Sequence, residues 1–189
     1  MKNSKLMINI KDLNKKNIAL LGHMGSGKSL VGKLLSKQLN FIHIDSDLEI
    51  EKSIGKTINE IFETKGESFF RSVEEKIILK LLKKSNIILS LGGGSFLNYK
   101  IRSALMIHSL TVFLDVKNNI LEERLKKSTR RPLLKNVNIK QKINELDLNR
   151  RKYYSLADIT LKNNNTSSET ISDFAEKYLL YKNEKRNNN

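Results

Sequence analysis

The chain has 189 residues, no cysteine and a formal charge of +15, which fits one domain and excludes disulfides and thiolate chemistry. No apolar run reaches the length of a membrane span, the lysine-rich start lacks a signal-peptide pattern, and the three histidines (His23, His43 and His108) lack zinc-ligand spacing. The charge excess is mostly Lys spread among abundant Asn and Ile, so it reads as a bias that attracts phosphorylated ligands, not as a nucleic-acid surface; no nucleic-acid partner, no membrane and a cytoplasmic location are the expectations.

Residues 1–16 are polar, with few apolar positions (Leu6, Met7, Ile8, Ile10), and read as a flexible basic leader before a single domain over 17–182. Ile18-Ala19-Leu20-Leu21 predicts a buried strand. It runs into Gly22-His23-Met24-Gly25-Ser26-Gly27-Lys28-Ser29, which fits the phosphate-loop pattern G-x-x-x-x-G-K-[ST]. Leu30, Val31, Leu34, Leu35 and Leu39 follow at helical spacing. Strand, glycine-rich loop and helix form the arrangement the chemistry needs. The glycines let successive N–H groups point at a phosphate, and the helix N-terminus adds partial positive charge. Lys28 reaches β- and γ-phosphates, and the Ser29 hydroxyl suits Mg²⁺.

Phe41-Ile42-His43-Ile44 predicts a second strand that delivers Asp45-Ser46-Asp47. In open parallel sheets ligands bind at the C-terminal edge. These carboxylates suit holding Mg²⁺ and orienting a hydroxyl, or capping the helix that starts near Leu48. Thr57-Ile58-Asn59-Glu60 is a capping box, and helical spacing runs to residue 83 with a break at Gly66. Arg71 can pair with Glu74 or Glu75 on that helix. Asn86 to Leu91 predicts a third strand ending in Gly92-Gly93-Gly94. Three glycines exceed what a tight turn needs and point to a ligand close to the backbone.

A helix over about 99–107, a strand over 110–114 and a helix over 118–127 follow. Ser128-Thr129-Arg130-Arg131-Pro132-Leu133-Leu134 then reads as a basic lid loop (about 126–138) of the kind that closes over phosphates. A helix over 139–154, a short strand over 159–161 and a helix over 168–181 complete the pattern, with a disordered tail at 183–189. The sum is an α/β three-layer fold with a five-stranded parallel sheet flanked by helices.

Later landmarks narrow the reading. Asp45-Ser46-Asp47, Gly66-Glu67 with Phe70-Arg71 and Glu74, Leu91-Gly92-Gly93-Gly94-Ser95, Arg131-Pro132-Leu133-Leu134, and Arg150 with Tyr154 and Ala157-Asp158 follow the phosphate loop in order. This series resembles the shikimate kinases over about residues 17–180. The resemblance implies a nucleoside monophosphate kinase-like P-loop fold and transfer of the γ-phosphate of ATP to the 3-hydroxyl of shikimate. It implies that Gly25, Ser26, Gly27, Lys28, Ser29 and Leu30 bind the ATP phosphates, that Ser29 and Asp45 (through water) hold one Mg²⁺, and that Arg124 packs on adenine. Asp47 would bind shikimate hydroxyls, Arg71 and Arg150 would clamp its carboxylate beside Gly92, Gly93 and Gly94, and Arg131 would reach the phosphates from the lid. Lys28, Asp47 and Arg131 are the catalytic candidates, and a monomer is expected. Two positions depart from the family pattern. Leu30 replaces a Thr, and Arg150-Arg151-Lys152-Tyr153-Tyr154 lacks the usual proline, which leaves Arg151 as the alternative to Arg150. The rival readings are a gluconate or nucleotide kinase on the same fold, a silent phosphate-loop interaction module, and a basic nucleic-acid-binding NTPase.

Overall fold

The computed structural model describes residues 8–126, 138–164 and 167–187. Five short apolar runs become five strands: β1 (Asn17–Leu21), β2 (Ile42–Asp45), β3 (Ile87–Ser90), β4 (Ser109–Asp115) and β5 (Ile159–Lys162). All four pairings are parallel, in the order β2-β3-β1-β4-β5. The central strand β1 sets Ile18 beside Ile88 and Leu110, and Leu20 beside Ser90 and Val112. Buried on both faces, the inner strands read as continuous apolar runs.

The two-residue period of a strand splits those runs between two cores. Ile18, Leu20, Ile88 and Val112 pack on one face with Val31 and Leu35 of α1 (Lys28–Leu39) and Phe174 and Tyr178 of α7 (Ser167–Asn187). Ala19, Leu21, Leu89 and Phe113 face the other way. There they meet Ile78 of α3 (Ile58–Leu81), Ile101 and Leu105 of α4 (Tyr99–His108) and Tyr154 of α6 (Ile139–Tyr154). Helix α5 (Asn118–Lys126) joins α6 through Leu121, Leu125 and Ile143, and α2 (Ser46–Ile54) lies on α3 through Ile50, Ile61 and Phe70. The expected three layers are present. The capping box at Thr57 forms in both directions, and Gly66 (φ 78°, ψ 171°) breaks the helical path within α3. Among the described residues, no helix is long and apolar enough to cross a membrane.

Two terminal expectations need correction. The described part of the leader is seated on the core. Residues Ile10–Leu13 form a 3₁₀ turn, Ile10 is buried, and the Tyr178 hydroxyl donates to the Asn9 carbonyl at 2.7 Å. Lys16 then bridges two strand starts, its N–H donating to His108 O and its carbonyl accepting from Asn86 N–H, each at 2.9 Å. Ile8 and Leu13 pack beside Ile10, and three apolar positions in a turn this short leave no helix or strand periodicity for a sequence reading to find. At the other end α7 continues as helix to Asn187 where a disordered tail was expected. Its last turns are solvent-exposed and rest on helical propensity, Lys185 and Arg186 favouring the C-terminal end of the dipole. The lid loop, apart from its bounding residues Lys126 and Asn138, lies outside the described residues.

If Ile10 is part of the core, Ile10→Ala should lower the unfolding free energy by about 2–4 kcal/mol, the usual range for such a deletion. Urea denaturation of the full chain measures this, and an unchanged midpoint would return residues 9–16 to a loose leader.

Candidate active site

Because every strand runs the same way, all the C-terminal strand ends meet at one edge of the sheet. There a cleft of about 780 Å³ takes in the loop after β1, both aspartates after β2, the glycine turn after β3 and one residue of α6.

The loop after β1 takes its shape from glycines. Gly25 (φ 82°) and Gly27 (φ 91°) sit in the left-handed region, which side chains with a Cβ seldom adopt. Gly27 is the N-cap of α1 and offers no side chain to the first helical N–H groups. By contrast α2, α3, α4 and α6 are capped by Asp45, Thr57, Asn98 and Asn138. The open end of α1 therefore presents N–H donors and positive dipole to the cleft. Lys28 folds inward, its Nζ donating to Gly22 O and His23 O at 2.9 Å each. The Asn163 side chain braces the loop from below. Its amide donates to Ser26 O and accepts from the Thr170 hydroxyl. Arg124 lies against the same loop, donating to Gly25 O at 3.3 Å and to Asn163 O at 3.0 Å. Leu30 is exposed at the cleft's rim.

Asp45 caps α2, the structural alternative weighed from the sequence, and also meets the loop. One oxygen caps α2 by accepting from Asp47 N–H at 3.1 Å, and the other accepts from the Ser29 hydroxyl at 2.8 Å. Asp47 points into the cleft. Burial pushes its pKa up to about 6, helped by the Asp45 charge and opposed by Lys28.

The glycine turn explains its own composition. None of its three residues has positive φ, so the need is for space. A Cβ at Gly92 would lie 2.7 Å from Asp47 Oδ1, one at Gly93 2.8 Å from Arg150 Nη1, and one at Gly94 2.9 Å from both Arg71 Nη atoms. Three charged side chains from α2, α6 and α3 thus converge on one side-chain-free turn.

Arg71 is held in place by carboxylates. Nη1 donates to Glu74 at 2.8 Å, and Nη2 and Nε donate to Glu67 at 3.0 and 3.2 Å. Glu74 is buried and its second oxygen accepts from the Ser95 hydroxyl at 2.6 Å. Of the two carboxylates weighed from the sequence, Glu74 is the partner; Glu75 serves Asn98 and Lys100 instead. The choice between the adjacent arginines is equally clear in space. Arg150 lines the cleft, whereas Arg151 turns away to Asp147 and Asp115. Arg131 lies outside the described residues.

Three contacts had no signal in the sequence, although Tyr154 itself was one of its landmarks. His23, an unspecified position of the loop pattern, is buried and paired with Asp147 at 2.9 Å. The Tyr154 hydroxyl donates to the Gly93 carbonyl. Asn163 follows the last strand in an unremarkable polar run; only its position beneath Ser26 reveals its use.

With this geometry in hand, comparison with known proteins is informative. The family model described as shikimate kinase matches residues 24–179. A shikimate kinase of Buchnera aphidicola is 41% identical over 160 residues, covering 83% of this chain and 92% of that protein. The crystal structure of shikimate kinase from Bacteroides thetaiotaomicron superposes with a TM-score of 0.82 at 28% identity, over 85% of this chain and 97% of that one. A structure of the Acinetobacter baumannii enzyme in complex with shikimate gives 0.79 at 34% identity, over 87% and 91%. With the phosphate loop, the paired aspartates and both cleft arginines in the order and space described, the chain belongs to the shikimate kinase family.

Proposed function

We propose that this chain transfers the γ-phosphate of ATP to the 3-hydroxyl of shikimate, giving shikimate 3-phosphate and ADP, a step toward chorismate and the aromatic amino acids. One observation carries the reading beyond family membership. The same cleft holds a phosphate loop and, across Gly93 and Gly94, two guanidinium groups beside one carboxylate. Paired guanidinium groups suit a planar carboxylate, and a carboxylate suits a polyol.

In this scheme the N–H groups of Gly25 to Leu30 receive the phosphates. Lys28 exchanges its bonds to Gly22 and His23 for the β- and γ-phosphate oxygens. Ser29 and Asp45 offer oxygen donors 2.8 Å apart beside the loop, a set that fits Mg²⁺. The described residues contain no cluster of three metal-binding side chains, in keeping with an ion that relies on phosphate and water oxygens. The metal, when bound, neutralises charge shared between the β- and γ-phosphates. Arg124, beside Gly25, packs on adenine, and Arg131 reaches the phosphates from the lid. Arg71 and Arg150 clamp the acceptor carboxylate while Asp47 orients the hydroxyl. With a pKa near 6, Asp47 is ionised at neutral pH and basic enough to take the hydroxyl proton as the new bond forms. The protein is taken to act as a monomer in the cytoplasm.

ADP formation from MgATP should depend on shikimate, with gluconate and nucleoside monophosphates inactive. Lys28→Ala should lower kcat by about 10²-fold or more, and Arg71→Ala should raise the shikimate KM by about tenfold or more. Equal ADP formation with and without shikimate would remove the acceptor assignment.

Asp47 gives a second test. Asp47→Asn should cost about 10²–10⁴ in kcat, the range for a general base; a rate within about tenfold of the parent would restrict Asp47 to orientation. Its pKa is raised by folding, so its stability contribution is fully present below pH 3.8 and is lost as pH rises through about 6. Asp47→Asn should therefore stabilise the ligand-free protein at pH 8 by about 2–3 kcal/mol, with the gain absent near pH 3.5. Chemical denaturation at the two pH values measures the difference.

A further inference from the structure

The scheme above leaves a cluster unused. His23 sits inside the phosphate loop, yet its ring turns away from the cleft and is almost fully buried. Its Nε2 lies 2.9 Å from Asp147 Oδ1, and a carboxylate only accepts, so the ring donates. Burial holds the ring's pKa below the usual histidine value despite the carboxylate. Asp147 is in turn held below the ordinary range: burial pushes it up, but hydrogen bonds from Arg151 and His23 outweigh that. The imidazole also meets the Tyr154 ring edge-on, centroids 5.1 Å apart, and Tyr154 stacks on Phe113 of β4 at 4.9 Å.

The two ring contacts of His23 described above, Asp147 and Tyr154, lie on the last two turns of α6. Asp147, Arg150, Arg151 and Tyr154 follow at intervals of three and four, so they share neighbouring faces. Arg151 ties that helix to Asp115 at the end of β4, and Tyr154 ties it to the Gly93 carbonyl. Those contacts fix α6 against the sheet and the glycine turn. The contact from His23 is different in kind, because it fixes α6 against the phosphate loop itself. Arg150 stands one turn beyond Asp147, with Nη1 so close to Gly93 that a Cβ there would be only 2.8 Å away. The alignment of that guanidinium follows its helix, and a misplacement of about an ångström costs about a hundredfold in rate.

We infer that His23 is a positioning residue that sets Arg150, through Asp147 and α6, at a fixed distance from the phosphate loop, so that the acceptor clamp is keyed to the nucleotide site. Neither the loop motif nor the arginine motif assigns this link. The inference rests on the proposed acceptor chemistry, and its test separates the two.

The informative variants are His23→Phe, which keeps the ring against Tyr154 but removes the donor, and His23→Gln, which restores an N–H near Asp147. The full chain is assayed with MgATP and shikimate, and thermal melts confirm folding. His23→Phe should raise the shikimate KM by about 5–20-fold, the effect expected for losing one hydrogen bond to a charged group, while the ATP KM moves by less than about twofold. His23→Gln should recover most of the loss. In an Arg150→Ala background the same His23→Phe change should add less than about twofold, because the two residues act in one chain. An unchanged shikimate KM, an equal rise in the ATP KM, no recovery with Gln, or full additivity with Arg150→Ala would each overturn the inference. If the parent protein does not turn over shikimate, the acceptor assignment fails on its own. The link is then read in the ligand-free protein from the Arg150 side-chain Nε–H resonance. That signal should move in His23→Phe and return in His23→Gln, and an unmoved signal overturns the link.

Discussion

A turn without side chains is the constraint on which the rest of the cleft depends. Gly92, Gly93 and Gly94 stand where Asp47, Arg150 and Arg71 crowd the backbone of β3's end. Those three residues arrive on separate helices, from different parts of the sequence. Each is already committed elsewhere by its helix: α2 by its cap and Ile50, α3 by Ile61 and Phe70, α6 by Ile143 and Tyr154. A Cβ on the turn would meet the charged ends of those side chains and push them aside without disturbing the helices, so glycine here leaves Asp47, Arg150 and Arg71 free to reach the turn.

Bringing two guanidinium groups, an ammonium and several carboxylates together in a partly buried cleft is costly unless charges are balanced locally. Here the balance is uneven by design of the fold. Arg71 is matched by Glu74 and Glu67, and Arg151 by Asp147 and Asp115, each at ordinary ion-pair distances. Among the described residues Asp47 makes no ion pair: Lys28 lowers its pKa, but burial and Asp45 act more strongly. Arg71, in the proposed clamp, is thus balanced by carboxylates, while Asp47 keeps a raised pKa. Displaced titration at a cleft carboxylate is the pattern expected where proton affinity matters to the chemistry.

The fold was legible because a parallel sheet covered on both faces needs apolar runs of strand length separated by amphipathic helices, and this chain supplies five of the former in order. The phosphate loop was legible because its chemistry constrains a contiguous stretch. So were Asp45, Asp47 and the glycine turn, since each follows a strand and must lie at the same edge. The arginines were harder. Spacing on α3 left Glu74 and Glu75 equivalent as partners for Arg71, and only the rotation of the helix against Ser95 decided between them. Arg150 and Arg151 are neighbours in sequence yet point about 100° apart around a helix, so one enters the cleft and the other leaves it. What stayed hidden were contacts between distant segments: Ile10 with the core, His23 with Asp147, and Asn163 with Ser26.

Two of those hidden contacts, Asn163 with Ser26 and His23 with Asp147, hold the phosphate loop from outside. A loop rich in glycine gains its phosphate-binding shape at the expense of conformational order, and its internal bonds from Lys28 and Ser26 to Gly22 and His23 carbonyls restore part of that order. Asn163 supplies it from β5's end, tied to Ser26 and Thr170; its amide is so close that a Cβ at Gly27 would lie 2.7 Å away. The His23 ring instead ties α6, and with it Arg150, to the loop. The loop is therefore clasped between the first helix of one half of the sheet and the elements that follow its last two strands. Catalysis by positioning requires such rigidity, because misplacement on the scale of an ångström costs orders of magnitude in rate. The motif carries the phosphate chemistry, but its precision comes from residues more than a hundred positions away in the chain, and that is why the loop sequence alone does not determine how well it works.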